Sequence, residues 1–181
     1  MLWAAWRGSP LRRRAPHPPP HPALTAFTRP LYGLTTLNRL SLHKPHLPHI
    51  SPKKYWDLYN VDTISMPPNA DVPTNFTPGA WYGSDELRSY NDAGKALSNF
   101  TECGPYPSEF VRHHRWAYFA ATSFLDAQVG KVLDALQQHG FANNTIVALI
   151  SDHGWHLGDN HSIGKCTNFQ AATNHVMVSA A

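Results

Sequence analysis

The sequence predicts an α/β fold, and three consecutive patterns near the end of the chain carry this prediction. Residues 108–139 repeat apolar side chains every three or four positions, which is typical of an amphipathic helix. Gly140 and residues 141–144 predict a left-handed helix stop and a short turn. Residues 145–150, TIVALI, favour a strand covered on both faces of a parallel sheet. Together these patterns form half of a β-α-β unit.

Composition divides the chain into a leader, residues 1–41, and a folded domain, residues 42–181. Residues 1–54 hold nine Lys or Arg and no Asp or Glu, while residues 55–181 hold six and twelve, so the two parts carry charges of +9 and −6. Proline-rich sequence such as PHPPPHP at 16–22 is typical of disorder or polyproline II. We expect a disordered arm, with a polyanion-binding head as the alternative.

Shorter elements are expected between the leader and the turn at Gly140. Residues 51–59 favour a short helix with Ser51 as its cap, and residues 84–97 favour a helix that starts at Ser84. The remaining irregular sequence predicts a functional surface or a substrate-lining insertion. The long helix is expected to have Ser108 as its cap and one apolar stripe made of Tyr118, Ala121, Leu125, Val129, Val132 and Leu136.

The segment HKPHLPH places His43, His46 and His49 three residues apart. In a polyproline II helix this spacing would put all three on one face, where they could bind a metal. The alternative is that proline spacing produces the pattern by chance, and we favour it for His46 and His49.

Asp152, His153 and Gly154 follow the predicted strand directly. Ligands of open α/β sheets bind beyond the carboxyl ends of strands, and a carboxylate with an imidazole can hold a cation there. Gly154 would let the backbone turn sharply. The alternatives are an aspartate that caps the next turn and a histidine bonded to the backbone. The residue types favour zinc or manganese over calcium, with His156 and His161 as further donors nearby.

Lys165 lies twelve residues after His153, in a glycine-bearing loop. A lysine that enters a cleft can bind an anionic oxygen as a point charge. An exposed loop lysine is the alternative.

Several separated blocks resemble the sulfatase family, and in particular its iduronate-2-sulfatase group. They are HKPHLP at 43–48, ELRSY at 86–90, FVRHHRWAYFAATSFLDAQVGKVLDAL at 110–136, SDHGWHLGD at 151–159 and GKCTNFQAAT at 164–173. They occur in the family's order over about residues 42–181. The resemblance implies an alkaline-phosphatase-like fold, in which helices flank a mixed or parallel sheet, here incomplete.

The resemblance also implies roles for individual residues. Asp152 and His153 would be two ligands of a Ca²⁺ ion, instead of zinc or manganese. Lys165 would contact the sulfate group, His43 would lie near the sulfate ester, and Trp155 would line the substrate pocket. The implied reaction removes 2-O-sulfate from uronic acid in a glycosaminoglycan, with a cation, a lysine and a histidine stabilising the developing charge. We expect no nucleic-acid or membrane partner.

The catalytic nucleophile of the family is missing from these 181 residues. Family members use a formylglycine made from the cysteine of a Cys-x-Pro-Ser-Arg motif, which neither Cys103 nor Cys166 begins. The paired aspartates that supply further calcium ligands are also missing. We therefore expect an internal part of a sulfatase domain, inactive and poorly soluble alone, with TIVALI partly uncovered. A non-catalytic glycosaminoglycan-binding protein and another hydrolase of the alkaline-phosphatase superfamily are the alternatives.

Asn75, Asn99 and Asn143 each begin a glycosylation sequon. Together with the resemblance, these sequons favour a lysosomal or secreted protein, although the first residues do not form a convincing signal peptide.

Overall fold

The computed structural model of the chain describes residues 2–6, 36–77, 85–99 and 105–180. The predicted cap Ser84 and the proline-rich run at 16–22 lie outside these ranges. The contacts divide the chain into two compact units. Unit 1 takes the described parts of 1–43, 127–152 and 176–181, and unit 2 takes those of 44–126 and 153–175.

Unit 1 contains a four-stranded sheet. Its strands are β1, Leu2–Trp6; β2, Thr36–Leu40; β3, Thr145–Ile150; and β6, Met177–Ala180. Their order across the sheet is β2-β1-β3-β6. The strand predicted at 145–150 is confirmed as β3, but every described pairing is antiparallel, so the expected mixed or parallel sheet is wrong for the described residues. Strand β3 pairs with β1 on one side and β6 on the other, and both of these strands run in the direction opposite to β3. Two segments of the predicted disordered leader, 2–6 and 36–40, are therefore strands here.

The cover over β3 is also thinner than a doubly covered strand requires. Thr145 is buried, whereas Ile146 is 48% exposed. On the neighbouring β6, Met177 and Val178 are 67% and 55% exposed. The expected burial on both faces is wrong, while the expected partial exposure of TIVALI agrees with the position of Ile146.

The long helix is confirmed as α4, Ser108–Gln138, with 31 residues. Its amphipathic stripe is buried or half-buried along its length. The carbonyl of Pro107 accepts from the Val111 N–H at 3.0 Å, so Pro107 rather than Ser108 takes the cap position. At the other end, Gly140 has φ of +73°, and the Gly140 and Phe141 N–H groups bond back into the last turn. These two hydrogen bonds form a Schellman motif, which confirms the predicted helix stop.

Unit 2 is built from short elements around one part of α4. Helix α1 has Pro52 at its cap position with no side-chain cap, so the predicted Ser51 cap is wrong. The helix expected over 84–97 is broken at residues 89–90 into two pieces. The elements are α1, Lys53–Trp56; α2, Asp85–Arg88; α3, Asn91–Ala96; β4, His156–Leu157; β5, Ile163–Gly164; and α5, Gln170–Thr173.

The core of unit 2 brings together side chains from α2, α3, α4 and β5. Leu97 is completely buried, and burying a leucine stabilises the fold by about 1.5–3 kcal/mol. Trp155 packs against the edge of this core. The core residues are Leu47, Leu87, Ala93, Leu97, Tyr106, Val111 and Ile163. Among the helices that the structure describes, none has the length and apolarity needed to cross a membrane.

Candidate functional site: a lysine, histidine and glutamate cluster on Trp155

Three ionisable side chains meet in unit 2. The Nζ atom of Lys165 lies 3.1 Å from Glu86 Oε2 and 3.1 Å from His46 Nε2. His46 Nε2 in turn lies 3.2 Å from Glu86 Oε1. Each oxygen of the carboxylate therefore contacts a different nitrogen, and the three groups form a closed triangle.

The indole of Trp155 lies beneath this triangle. Lys165 Nζ is 5.6 Å from the centre of the ring, within range of a cation–π attraction. The ring is fixed from its other side, because Trp155 Nε1 donates to His114 Nε2 at 3.3 Å. The two rings are stacked, with centroids 6.4 Å apart and planes 20° from parallel. Trp155 thus connects the charged triangle to the interior of unit 2.

His114 and His49 form a neutral pair beside Trp155. His114 is buried between the rings of Phe110 and Trp155, and burial lowers its pKa to about 3, with a further contribution from the charge of His49. Burial also lowers the pKa of His49 to about 4, and its ring meets that of His114 edge-on at 4.9 Å. A neutral His114 is required by the indole bond, because only an unprotonated Nε2 can accept it. An apolar cavity of about 540 Å³ opens beside this pair, lined also by Trp56, Tyr90 and Trp116.

The loop that carries Lys165 is anchored by a second buried histidine. His156 is completely buried, and its Nε2 atom lies 2.7 Å from Thr167 Oγ1. Burial lowers the pKa of His156. On the two-stranded sheet, His156 pairs with Gly164, so Lys165 is the first residue after β5. His156 therefore positions the lysine loop, and the idea that it supplies an extra metal donor does not fit its burial against Thr167.

Gly154 is required for a different reason from the predicted sharp turn. Its φ is not in the left-handed region, but its backbone lies directly against α5. The Gly154 N–H donates to Ala172 O at 2.8 Å, and a Cβ at position 154 would lie 2.1 Å from Ala171 O. No side chain fits there, so the glycine allows the chain to dock on α5 between His153 and Trp155.

The remaining predicted site residues are divided between the two units. Asp152, in unit 1, is exposed, and His153, in unit 2, is half-buried with its Nδ1 atom 2.7 Å from Gly154 O. His43, in unit 1, is exposed. Residues 44–48 form turns, so the continuous polyproline II helix that would align His43, His46 and His49 is not formed.

A comparison with known protein families matches residues 37–178 to the Sulfatase family. The chain belongs to the sulfatase family. It is 41% identical over 132 residues to iduronate 2-sulfatase from Homo sapiens, which covers 73% of this chain and 24% of that protein. It is 42% identical over 131 residues to the Mus musculus enzyme of the same name, with 72% and 24% covered. A sulfatase from Formosa agariphila is 32% identical over 139 residues, with 74% and 25% covered.

This sulfatase chain spans about a quarter of the length of the curated relatives that it matches. The recognised blocks at 43–48 and 164–173 contribute His46 and Lys165 to the same cluster. The predicted similarity to sulfatases is confirmed, and with it the coarse α/β class of helices and small sheets.

The described residues supply only part of the ligand set of the calcium ion that the family implies. Calcium takes six to eight oxygen ligands, and Asp152 with His153 supplies one carboxylate and one imidazole. His153 Nδ1 already contacts a backbone carbonyl. Within residues 2–6, 36–77, 85–99 and 105–180, no group of three or more His, Cys, Asp or Glu side chains could hold a metal ion.

Sequence reasoning assigned no role to Glu86 or His114 and regarded the spacing of His46 as accidental. The block ELRSY was noticed, but nothing in it connects Glu86 to Lys165. His114 belongs to the helical segment FVRHHRWAYF, where a histidine next to apolar residues signals only a buried or half-buried side chain. Asn75, Asn99 and Asn143 are exposed, and their glycosylation stays a prediction.

Proposed function

We propose that this chain carries the sulfate-binding part of a sulfuric ester hydrolase that removes 2-O-sulfate from uronic acid in glycosaminoglycans. The observation that supports this proposal is the ammonium group of Lys165, held over Trp155 and beside His46. A sulfate group needs a compact positive charge, and a sugar ring packs well on an aromatic face. The similarity to two iduronate 2-sulfatases supports the choice of a sulfated uronic acid.

The proposed roles follow the side-chain chemistry. Lys165 attracts the sulfate oxygens and stabilises the negative charge that grows during ester cleavage. Trp155 covers one face of the sugar. His43 acts on the ester as a proton donor or hydrogen-bond partner. Asp152 and His153 would contribute two ligands to a calcium ion whose other ligands lie outside the described residues.

The proposed function has a consequence for the chain by itself. Its 181 residues contain no Cys-x-Pro-Ser-Arg motif, so we expect binding of the sulfated sugar without release of sulfate. We further propose a lysosomal or secreted location. The exposure of the sequon residues Asn75, Asn99 and Asn143 supports it, because a glycan needs an accessible asparagine.

Binding of a 2-O-sulfated uronic acid disaccharide to the purified chain tests this proposal. Isothermal titration at pH 5.5 would compare the sulfated disaccharide with its desulfated form. Lys165→Met should weaken binding of the sulfated form about tenfold or more, because it removes a full charge near the sulfate. Lys54→Met is the matched control, since Lys54 also lies over an aromatic ring, 5.0 Å above Tyr55, but outside the triangle.

Two results would overturn the proposal. One is equal affinity for the sulfated and desulfated disaccharides. The other is binding that survives Lys165→Met and falls steeply with added salt, which would favour general polyanion binding by the basic residues of the leader.

A further inference from the structure

We propose that His46 and Lys165 form an acid-dependent anion site that the Glu86 carboxylate fills, so that an incoming sulfate has to displace Glu86. This inference rests on the proposed function and deepens it. It names an internal competitor and a proton that together control when Lys165 is available to a sulfate group.

The geometry of the carboxylate is that of a bound anion. Its two oxygens are divided between two nitrogen partners, Oε1 with His46 at 3.2 Å and Oε2 with Lys165 at 3.1 Å. The Glu86 side chain is 37% exposed, against 31% for His46 and 24% for Lys165. Glu86 is thus the most exposed of the three groups and the one that an anion can displace, while His46 keeps its contact with Leu47 O and Lys165 its position over Trp155.

The hydrogen bonds of His46 show why one proton decides between two arrangements. His46 Nδ1 lies 2.8 Å from Leu47 O, and a carbonyl only accepts, so Nδ1 carries a hydrogen. In the neutral ring, Nε2 is then an acceptor. It accepts from Lys165 and faces Glu86 Oε1 acceptor to acceptor. In the protonated ring, Nε2 donates to Glu86 but faces the Lys165 ammonium. One of the two contacts is unfavourable in either state.

The charge of the triangle follows from this proton. With neutral His46, one lysine and one glutamate cancel, and a sulfate gains little by approaching. With protonated His46, the triangle has a net charge of +1, and displacing Glu86 leaves two positive groups for the sulfate. Histidine side chains change charge between pH 5 and 8, so acid should open the site.

The other groups that face His46 do not supply an alternative switch. Lys44 Nζ donates to His46 O at 3.3 Å, and it also bonds to Pro48 O. Lys44 and Glu86 are thus the two charged groups beside the ring, and they have opposite signs. His49 stays neutral because burial lowers its pKa to about 4. Trp155 is uncharged, with its ring centroid 6.5 Å from that of His46.

Binding of inorganic sulfate to the full chain, followed by titration calorimetry or NMR at pH 5.5 and 7.5, tests the inference. The parent should bind about tenfold more tightly at pH 5.5, the size expected for one added charge at a partly exposed site. Glu86→Gln keeps the shape but removes the competing charge, so it should bind about tenfold more tightly than the parent at pH 7.5. Glu109→Gln, on the exposed first turn of α4, is the matched control. His46→Gln keeps a polar group that does not titrate and should lose the pH dependence.

The outcomes separate this inference from the proposed function. If Lys165→Met leaves sulfate binding unchanged, the proposed site is wrong and this inference fails with it. If Lys165→Met abolishes binding while Glu86→Gln weakens it or leaves it unchanged at pH 7.5, only the inference fails, and Glu86 acts as a positioning residue. Retention of the pH dependence in His46→Gln would overturn it as well.

Discussion

The contact between Gly154 and α5 gives the sharpest test of how the site is supported. Replacing Gly154 with alanine adds one methyl group to the backbone between His153 and Trp155. That carbon would lie 2.1 Å from Ala171 O, 3.0 Å from Ala171 C and 3.3 Å from Ala172 C. All three are backbone atoms, so no side chain can rotate away. The two segments have to separate by about 1.3 Å or more to restore an ordinary contact distance.

The cost of that separation has two parts. The hydrogen bond from Gly154 N–H to Ala172 O, now 2.8 Å, would be stretched or lost, at about 0.5–1.5 kcal/mol. Forcing extra volume into a packed position costs about 1–3 kcal/mol more. We therefore expect Gly154→Ala to lower the free energy of unfolding by about 1.5–4.5 kcal/mol.

Urea unfolding of the full chain, followed by tryptophan fluorescence and far-UV circular dichroism, measures this loss. Gly130→Ala is the matched control, because a Cβ at Gly130, inside α4, would have no neighbour within 4 Å. Alanine is the better helix former, so this change should stabilise by about 0.5–1 kcal/mol. The same chemical substitution thus has opposite expected signs at the two positions. A stability of Gly154→Ala within about 0.5 kcal/mol of the parent would refute the close-packing argument.

Three further predictions concern the interior and the sheet. Between pH 3 and 6.5, His114 binds a proton more readily in the unfolded chain than in the folded one, because burial lowers its pKa from 6.5 to about 3. The contribution of His114 to the free energy of unfolding is therefore complete above pH 6.5 and is lost as pH falls towards 3. Urea titrations should show a loss of up to about 1.4 kcal/mol per pH unit from this residue. His114→Phe should remove that share, while the lowered pKa values of His49 and His156 keep part of the pH dependence. Leu97→Ala should cost about 2–5 kcal/mol in the same assay, and Leu133→Ala, at a side chain 41% exposed, less than about 1 kcal/mol. Ile146→Thr should raise the soluble fraction after centrifugation, because it removes an exposed apolar group from a sheet. Leu58→Thr, at an exposed leucine of unit 2, should not raise it. Equal effects of the two changes would contradict the idea that the exposed sheet causes the poor solubility.

The parts of the fold that the sequence predicted are the parts fixed by nearby residues. Helix α4 repeats its apolar residues over many turns. It ends where the N–H groups of Gly140 and Phe141 bond to carbonyls only three and five positions back. The pairing of β3 with β1 joins residues more than a hundred positions apart. A strand pattern states which residues are extended, but it does not state which neighbour they choose or in which direction, so the antiparallel sheet could not be foreseen.

The candidate site divides in the same way. Lys165 and Trp155 were found because they lie in short recognisable blocks. The contact of Lys165 with His46 spans 119 positions, and Glu86 reaches both from a four-residue helix. Isolated charged residues in irregular sequence carry no signal of their partners. Only the folded arrangement shows that the carboxylate and the two nitrogen groups form one cluster.

The same arrangement sets two opposing effects of acid on unit 2. Protonation of His46 gives the triangle a net positive charge and favours a bound sulfate. Protonation of His114 would remove the acceptor that orients Trp155, the platform for Lys165. Burial lowers the pKa of His114 to about 3 and that of His49 to about 4, so the buried pair stays neutral through mildly acidic conditions. Burial of the His49–His114 pair thus protects the Trp155 platform at the mildly acidic pH at which we propose that the anion binds. Sulfate affinity should accordingly rise as pH falls from 7.5 to about 5 and decline again as pH falls from about 4 towards 3, where first His49 and then His114 become protonated.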